Sequence, residues 1–261
     1  MIGVFDSGVG GLTVARAMMN RLPDRDIVYF GDTARTPYGT KSPETVTGYA
    51  LEDVRFLIER GARIVVVACN TVSSVASEAL AARFDLPLFE VIGPAVETAL
   101  SVSRKDRFGV IGTRATVASG EYERRIRERR PGASVHSVAC PLLVPLVEEG
   151  WLGRPETARI VKKYLIPLKA RQIDTLILGC THYPVLIDTI SRKIGKRVRV
   201  VDSAGAVAES VARFLLEHPE VDSRMSRTGE HRFFVSDRTE QVARTAQAIL
   251  RRNVRLEGVR G

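Results

Sequence analysis

The chain has 261 residues, a hydrophobic content of 44% and a charged content of 26%, values typical of a globular protein with a large core. No apolar run approaches the ~20 residues that cross a bilayer. The N-terminal residues lack the basic and apolar segments of a secretory signal. From these features we expect a cytoplasmic protein that neither spans a membrane nor is secreted. Three cysteines and four histidines show neither a disulfide framework nor zinc-ligand spacing.

The net charge of +9 comes from 32 arginines and 7 lysines set against 30 acidic residues. Such a charge fits either a nucleic-acid partner or the steering of an acidic substrate. The densest basic segment, residues 123–132, intersperses arginine with glutamate and has no aromatic residue for base stacking. The pattern therefore favours a solvated surface helix over a nucleic-acid interface.

Short apolar runs alternate with amphipathic segments along most of the chain. The predicted strands are 2–5, 27–30, 64–68, 88–92, 108–111, 135–139, 175–178 and 198–201. The predicted helices are about 11–21, 43–60, 73–84, 94–103, 117–130, 154–171, 184–194, 204–217 and 238–251. Near-continuous β-branched runs separated by helices indicate parallel strands buried on both faces, joined by right-handed crossovers. The predicted fold class is α/β.

An internal repeat underlies this order of elements. The segment "GVFDSGVGG" begins at Gly3, and "GVIGTRATV" begins at Gly109, so the offset is about 106 residues. Cys69 and Cys180 each close the third strand of one half. The repeat predicts two pseudo-symmetric three-layer α/β domains with mostly parallel sheets, whose strand ends face each other across a cleft.

The segment after residue 203 is too short for a domain of its own, so we expect it to return to the first half. The predicted domains are therefore 1–94 plus 204–261, and 95–203. Closure of the cleft would then need hinges near 93–95 and 203–205.

The two cysteines at strand ends have a structural and a functional interpretation. Free cysteines are often buried as small hydrophobic residues. Here, however, each thiol is followed by polar residues: Asn70 and Thr71 after Cys69, Thr181 and His182 after Cys180. The start of a following helix also favours a thiolate. We interpret Cys69 and Cys180 as a functional pair facing one ligand. Cys140, which lacks such neighbours, is interpreted as structural.

Two loops complete the predicted cleft. Gly8, Gly10 and Gly11 allow close approach to a ligand, but Thr13 replaces the third glycine of a dinucleotide fingerprint, and no Gly-Lys-Ser/Thr sequence is present. No nucleotide cofactor is therefore predicted. Residues 31–42 are rich in turn formers and are expected to form a loop over the cleft. In this loop, Thr36, Tyr38 and Gly39 offer hydrogen-bond donors to an anion.

Five motifs together resemble glutamate racemase, and the resemblance covers essentially the whole chain. The motifs are "DSGVGG" (6–11), "GDTARTPYG" (31–39), "ACNT" (68–71), "LVEEG" (146–150) and "GCTHYP" (179–184). The histidine after Thr181 is more similar to the glutamate enzymes than to the aspartate racemases of the same superfamily.

The resemblance implies a cofactor-independent, metal-free interconversion of L- and D-glutamate that supplies D-glutamate for peptidoglycan. One thiol would serve each hand of glutamate. The implied catalytic residues are Cys69, Cys180, Asp6, His182 and Glu148. The implied substrate-binding residues are Asp6, Ser7, Asp32, Tyr38, Gly39, Asn70, Thr71, Thr181 and His182. A homodimer is expected. Some family members inhibit DNA gyrase, which the net charge of +9 neither supports nor opposes.

Three alternatives remain open at the level of sequence. The first is a racemase of the same superfamily that acts on aspartate, a hydantoin or another acid. The second is a nucleic-acid-binding or gyrase-binding protein with a vestigial cleft. The third is a cysteine hydrolase that uses Cys180 and His182, although residues two positions apart rarely give triad geometry, and Cys69 would then have no role.

Overall fold

The computed structural model describes residues 1–259, in which ten strands alternate with helices. The strands are β1 (Ile2–Asp6), β2 (Ile27–Gly31), β3 (Ile64–Val67), β4 (Leu88–Glu90), β5 (Arg107–Gly112), β6 (Ser134–Ala139), β7 (Thr175–Gly179), β8 (Arg199–Asp202), β9 (His231–Val235) and β10 (Leu256–Gly258). Up to β5 the α-helices are α1 (Leu12–Arg21), α2 (Pro43–Glu59), α3 (Asn70–Val75), α4 (Ser77–Arg83) and α5 (Ile92–Val102). After β5 they are α6 (Arg114–Ala118), α7 (Glu121–Arg129), α8 (Leu143–Glu148), α9 (Pro155–Ala170), α10 (Ile187–Ile194), α11 (Ser203–Glu217), α12 (Pro219–Asp222) and α13 (Glu240–Leu250).

The strands form two sheets, and every neighbouring pair of strands is parallel. The six-stranded sheet has the order β10-β9-β2-β1-β3-β4, and the four-stranded sheet has the order β6-β5-β7-β8. The order β2-β1-β3-β4 in one sheet is repeated as β6-β5-β7-β8 in the other. The central strands β1, β3 and β7 are buried throughout, as their near-continuous apolar runs predict. The predicted α/β fold is confirmed.

The C-terminal tail completes the first sheet. Strand β9 pairs with β2, from Ile27 opposite His231 to Gly31 opposite Val235, and β10 lies beyond it. The carboxylate of the buried Asp26 accepts hydrogen bonds from the main-chain N–H groups of Thr228 (2.9 Å) and Glu230 (3.2 Å). These bonds fix the tail beside the start of β2. The division of the chain at residues 94/95 and 203/204 stays a prediction.

Several predicted helices are divided in the structure. Segment 73–84 is split into α3 and α4 at Ala76, and segment 117–130 is split into α6 and α7 at Gly120, whose φ of +66° suits glycine. Segment 184–194 is a 3₁₀ turn, Tyr183–Leu186, followed by α10. Helix α8 and strands β9 and β10 were not predicted as separate elements. Among residues 1–259, no helix combines the length and hydropathy needed to span a bilayer.

Candidate active site

A narrow cavity lies where the carboxyl ends of β1 and β3 meet those of β5 and β7. Its empty volume is about 330 Å³, open solvent included, and it has room for about one water molecule. Its lining residues are Ser7, Thr36, Pro37, Tyr38, Gly39, Cys69, Asn70, Thr71, Thr113, Val144, Cys180, Thr181 and His182. Thiols from the two sheets therefore line one cavity.

Nine of the twelve predicted site residues line this cavity, and three lie behind its wall. Asp6 accepts a hydrogen bond from Thr181, Glu148 contacts His182, and Asp32 contacts Tyr38. The structure thus brings all the predicted residues into one contiguous group. Cys140 is buried outside the cavity, and its thiol donates to the carbonyl of Val138 at 3.5 Å.

Cys69 follows β3 after one intervening residue and caps the start of α3. Its buried thiol donates to Ser7 Oγ at 3.4 Å. Burial and the nearby charge of Asp6 raise the pKa of Cys69 to about 12, although the hydrogen bonds of its sulfur with Ser7 and with the Val72 N–H act in the opposite direction. Cys69 is therefore a protonated thiol at neutral pH, and in that state it can donate a proton.

Asp6, at the end of β1, connects the two halves of the site. Its carboxylate accepts hydrogen bonds from the Gly8 N–H at 3.1 Å and from Thr181 Oγ1 at 3.2 Å. Complete burial raises the pKa of Asp6, while the charge of His182 and these hydrogen bonds oppose the shift. An acid with a raised pKa beside Cys69 can change its charge when the thiol does.

Cys180 follows β7 and lies at one end of a short polar chain. Its Sγ is 3.9 Å from His182 Nδ1, and His182 Nε2 is 3.1 Å from Glu148 Oε1. Burial lowers the pKa of His182, but the hydrogen bonds and negative charges of Cys180 and Glu148 outweigh burial and raise this pKa to about 10. The imidazolium therefore persists at neutral pH and places a positive charge 3.9 Å from Cys180 Sγ.

Gly10 lets the glycine-rich loop approach the second half of the site. A Cβ atom at this position would lie 2.4 Å from His182 Nδ1 and 2.5 Å from Thr181 Oγ1. Both distances are far shorter than an ordinary van der Waals contact. Glycine is thus required here for the observed approach of the two halves.

Asn70 presents an unpaired donor in the cavity wall. The Tyr122 hydroxyl donates to Asn70 Oδ1 at 2.6 Å, which fixes the side-chain amide. Asn70 is buried, and its Nδ2 has no hydrogen-bond partner among the described residues. A buried donor without a partner is costly, so this amide is suited to an acceptor group of a bound molecule.

Tyr38 lies over a buried pair of carboxyl groups. Its hydroxyl donates to Asp32, and Asp53 Oδ2 lies 3.0 Å from the same oxygen. Since a phenol has only one proton, it cannot donate to both carboxylates. Burial and the charge of Asp32 raise the pKa of Asp53 well above its usual range, despite the opposing charge of Arg35. A protonated Asp53 can donate to Tyr38, which in turn donates to Asp32.

Thr113 is a residue of the site that we did not predict, although the internal repeat indicates it. Thr113 lines the cavity and its hydroxyl lies 3.0 Å from that of Thr71. Thr113 is 106 positions after Ser7, the offset of the internal repeat. Tyr122 and Asp53 carried no such signal, because each acts through a helix whose packing only the tertiary structure defines.

The lining of the cavity contains few charged side chains. None of the lining residues is lysine or arginine, and His182 is the titratable cation. Within residues 1–259, no group of three His, Cys, Asp or Glu side chains is arranged to hold a metal ion. The residues present are suited to proton transfer by thiols and to hydrogen bonding of an anion.

Comparisons with known proteins agree with this site. The profile described as Asp/Glu/Hydantoin racemase matches residues 10–211. A glutamate racemase of Geobacter metallireducens is 48% identical over 236 residues, which are 90% of this chain and 87% of that protein. The chain belongs to the Asp/Glu/hydantoin racemase family. The prediction of a racemase is thereby confirmed.

Solved structures of family members share the whole fold. A glutamate racemase isoform of Bacillus anthracis has a TM-score of 0.94 and 37% identity, with 100% of this chain and 97% of that chain covered. A glutamate racemase of Francisella tularensis in complex with D-glutamate has a TM-score of 0.90 and 34% identity, with 99% and 97% covered. The family relationship therefore extends over both sheets and the cavity between them.

Proposed function

We propose that this family member interconverts L- and D-glutamate without a cofactor and that Cys69 and Cys180 are its two acid–base groups. The observation that carries the proposal is the pair of thiols from opposite sheets lining one narrow cavity. Racemisation removes the α-proton from one face of the carbon and delivers a proton to the other face. Two monoprotic groups on opposite sides of a substrate meet that requirement.

The two thiols have different polar neighbours, and the proposal assigns them opposite roles in proton transfer. The Cys180 thiolate, beside the His182 imidazolium, takes the α-proton of one enantiomer. The Cys69 thiol then donates its proton to the opposite face of the carbanion. The enzyme is left with a Cys180 thiol and a Cys69 thiolate, the form that accepts the other enantiomer. A protonated Asp6, whose pKa burial raises, would carry no charge to repel the Cys69 thiolate.

Neutral donors hold the substrate in this proposal. In this proposal the free Nδ2 of Asn70 and the hydroxyls of Ser7 and Thr71 donate to the carboxylates of glutamate, while the Thr181 hydroxyl holds Asp6. Donors aimed at an α-carboxylate stabilise the negative charge that develops when the α-proton leaves. Tyr38 and Gly39 also line the cavity, and the Tyr38 hydroxyl donates to Asp32.

Substrate entry requires the cavity to open. The cavity has room for about one water molecule, and glutamate is several times larger than water. We propose that the domains 1–94 plus 204–261 and 95–203 separate about hinges near 93–95 and 203–205. Closing then excludes water from the reacting groups.

The assignment of glutamate is supported by the names of relatives. The Geobacter metallireducens relative is a glutamate racemase, and the Francisella tularensis structure contains D-glutamate. We further propose that the product D-glutamate supplies peptidoglycan synthesis in the cytoplasm and that the working enzyme is a homodimer.

Proton NMR in deuterated water tests the activity. With purified protein and L-glutamate alone, the α-proton signal should disappear while D-glutamate forms. Cys69→Ala and Cys180→Ala should each reduce the rate of D-glutamate formation by at least about 10³-fold, while the control Cys140→Ala should retain it. Aspartate should not exchange. Absence of exchange in folded, reduced protein, or persistent exchange in both cysteine variants, would contradict the proposal.

A further inference from the structure

The main-chain carbonyl of Glu148 is held by a helix from the far end of the chain. Thr245 Oγ1 donates to this oxygen at 3.1 Å, and Gln241 Nε2 donates to it as well. The two donors are four residues apart on α13 and therefore lie on one face of the helix. Helix α13 packs into the core of the first sheet through Ala246 and Ile249.

The carbonyl of Glu148 needs an external donor. Glu148 is the last residue of α8, and the terminal carbonyls of a helix have no donor within the helix. Its side chain is about a third exposed (31%), so packing alone does not fix its carboxylate. The two bonds from α13 restrain the main chain of the residue whose carboxylate contacts His182 at 3.1 Å.

We propose that Thr245, together with Gln241, is a positioning residue for racemisation. These side chains hold Glu148 so that its carboxylate stays on His182 and the imidazolium stays beside Cys180. The inference rests on the proposed functions of His182 and Cys180. Helix α13 packs against the first sheet, whereas α8 follows β6 of the second sheet, so this contact also couples the position of Glu148 to closure of the cavity.

A double-mutant cycle tests whether Thr245 acts through Glu148. Thr245→Val, which removes the donor at nearly constant volume, should lower kcat about tenfold. Thr245→Ser retains the hydroxyl and should restore kcat to within about twofold. In the Glu148→Gln background, Thr245→Val should cost about twofold or less, because the carboxylate it positions is already absent. Gln247→Leu, on the opposite face of α13, is the control and should leave kcat unchanged.

A second readout separates positioning from a general loss of structure. Primary deuterium isotope effects are measured from α-deuterated L- and D-glutamate for Cys180→Ser and for Thr245→Val. Both variants should raise the effect for the same enantiomer, the one whose proton Cys180 removes. An unchanged kcat, or equal losses in the wild-type and Glu148→Gln backgrounds, would overturn the inference. If Cys180→Ser itself changes neither isotope effect, the proposed function fails as well; if only Thr245→Val fails to change one, the positioning role alone is overturned.

Discussion

Gly10→Ala should impair catalysis by forcing the two halves of the active site apart. The added Cβ would lie 2.4 Å from His182 Nδ1, whereas ordinary contact begins at about 3.4 Å. The atoms must therefore separate by 3.4 − 2.4 = 1.0 Å along this line. A displacement of about 1 Å in a catalytic group can cost about 10²-fold in rate, which is about 2.7 kcal/mol of transition-state stabilisation. We expect kcat/KM to fall by about that factor.

The assay follows the conversion of L-glutamate by circular dichroism, with thermal unfolding measured on the same samples. Overpacking can also reduce the free energy of unfolding by about 1–3 kcal/mol, so activity is compared at a temperature where each variant is folded. Gly48→Ala is the matched control. Gly48 lies inside α2, and a methyl group added there would have no neighbouring atom within 4 Å. This change should stabilise the helix by about 0.5–1 kcal/mol and leave kcat/KM unchanged.

The result that refutes this reasoning is a folded Gly10→Ala variant with kcat/KM within about twofold of the wild type. Such a result would mean that the close approach of Gly10 to His182 is not needed in the reacting enzyme. Gly48→Ala can be added to Gly10→Ala to offset lost stability, so that a folding defect does not obscure the comparison.

Three further predictions concern buried ionisable groups. Asp53→Asn should retain activity within about threefold, because an amide can donate to Tyr38 as a protonated carboxyl does. Asp53→Leu should raise KM about tenfold. Equal losses of kcat/KM in the two variants, measured by steady-state kinetics, would contradict a neutral Asp53. The pKa of His182 is about 10 in the folded protein and about 6.5 in the unfolded chain. Protonation of His182 therefore stabilises the fold fully below pH 6.5, and this stabilisation is lost as the pH rises through 10. In denaturant unfolding, the free energy of unfolding of the wild type should exceed that of His182→Gln by an amount that decreases between pH 6.5 and 10. A difference that stays constant with pH would contradict the raised pKa of His182. Burial would raise the pKa of Asp26, but hydrogen bonds lower it to about 2. The ionised carboxylate of Asp26 therefore stabilises the fold fully above about pH 3.9, and this stabilisation is lost as the pH falls through 2. Asp26→Asn should lower Tm by about 2–4 °C at pH 7 and by less at pH 2, as scanning calorimetry would show. An equal decrease in Tm at both pH values would contradict the lowered pKa of Asp26.

The sequence predicts the central strands well because their burial on both faces leaves long apolar runs. The eight predicted strands correspond to β1–β8, and both thiols lie at the strand ends where they were expected. Strand β9 was not predicted as a strand because it begins with His231 and Arg232, which lie near the surface, and only its last three residues are buried. Short β10 gives even less apolar pattern.

The contacts that tune the site could not be obtained from sequence patterns. His182 and Glu148 are 34 positions apart, and their contact depends on how α8 packs beside the end of β7. Thr245, 97 positions from Glu148, depends on the return of the tail to the first sheet. Family resemblance identified Glu148 as a candidate, but neither resemblance nor periodicity indicated its partner on α13.

The most direct test of the two-thiol mechanism compares isotope effects in Cys69→Ser and Cys180→Ser. Because the enantiomers have equal free energies in solution, the ratio of kcat/KM for the two directions stays at unity in any variant, so asymmetry must be read from the isotope effects. A serine in place of the abstracting thiol makes removal of the α-deuteron rate-limiting for one enantiomer only. The account predicts that Cys69→Ser raises the primary deuterium effect for one hand of glutamate and Cys180→Ser for the other. Elevated effects for the same hand in both variants would contradict it.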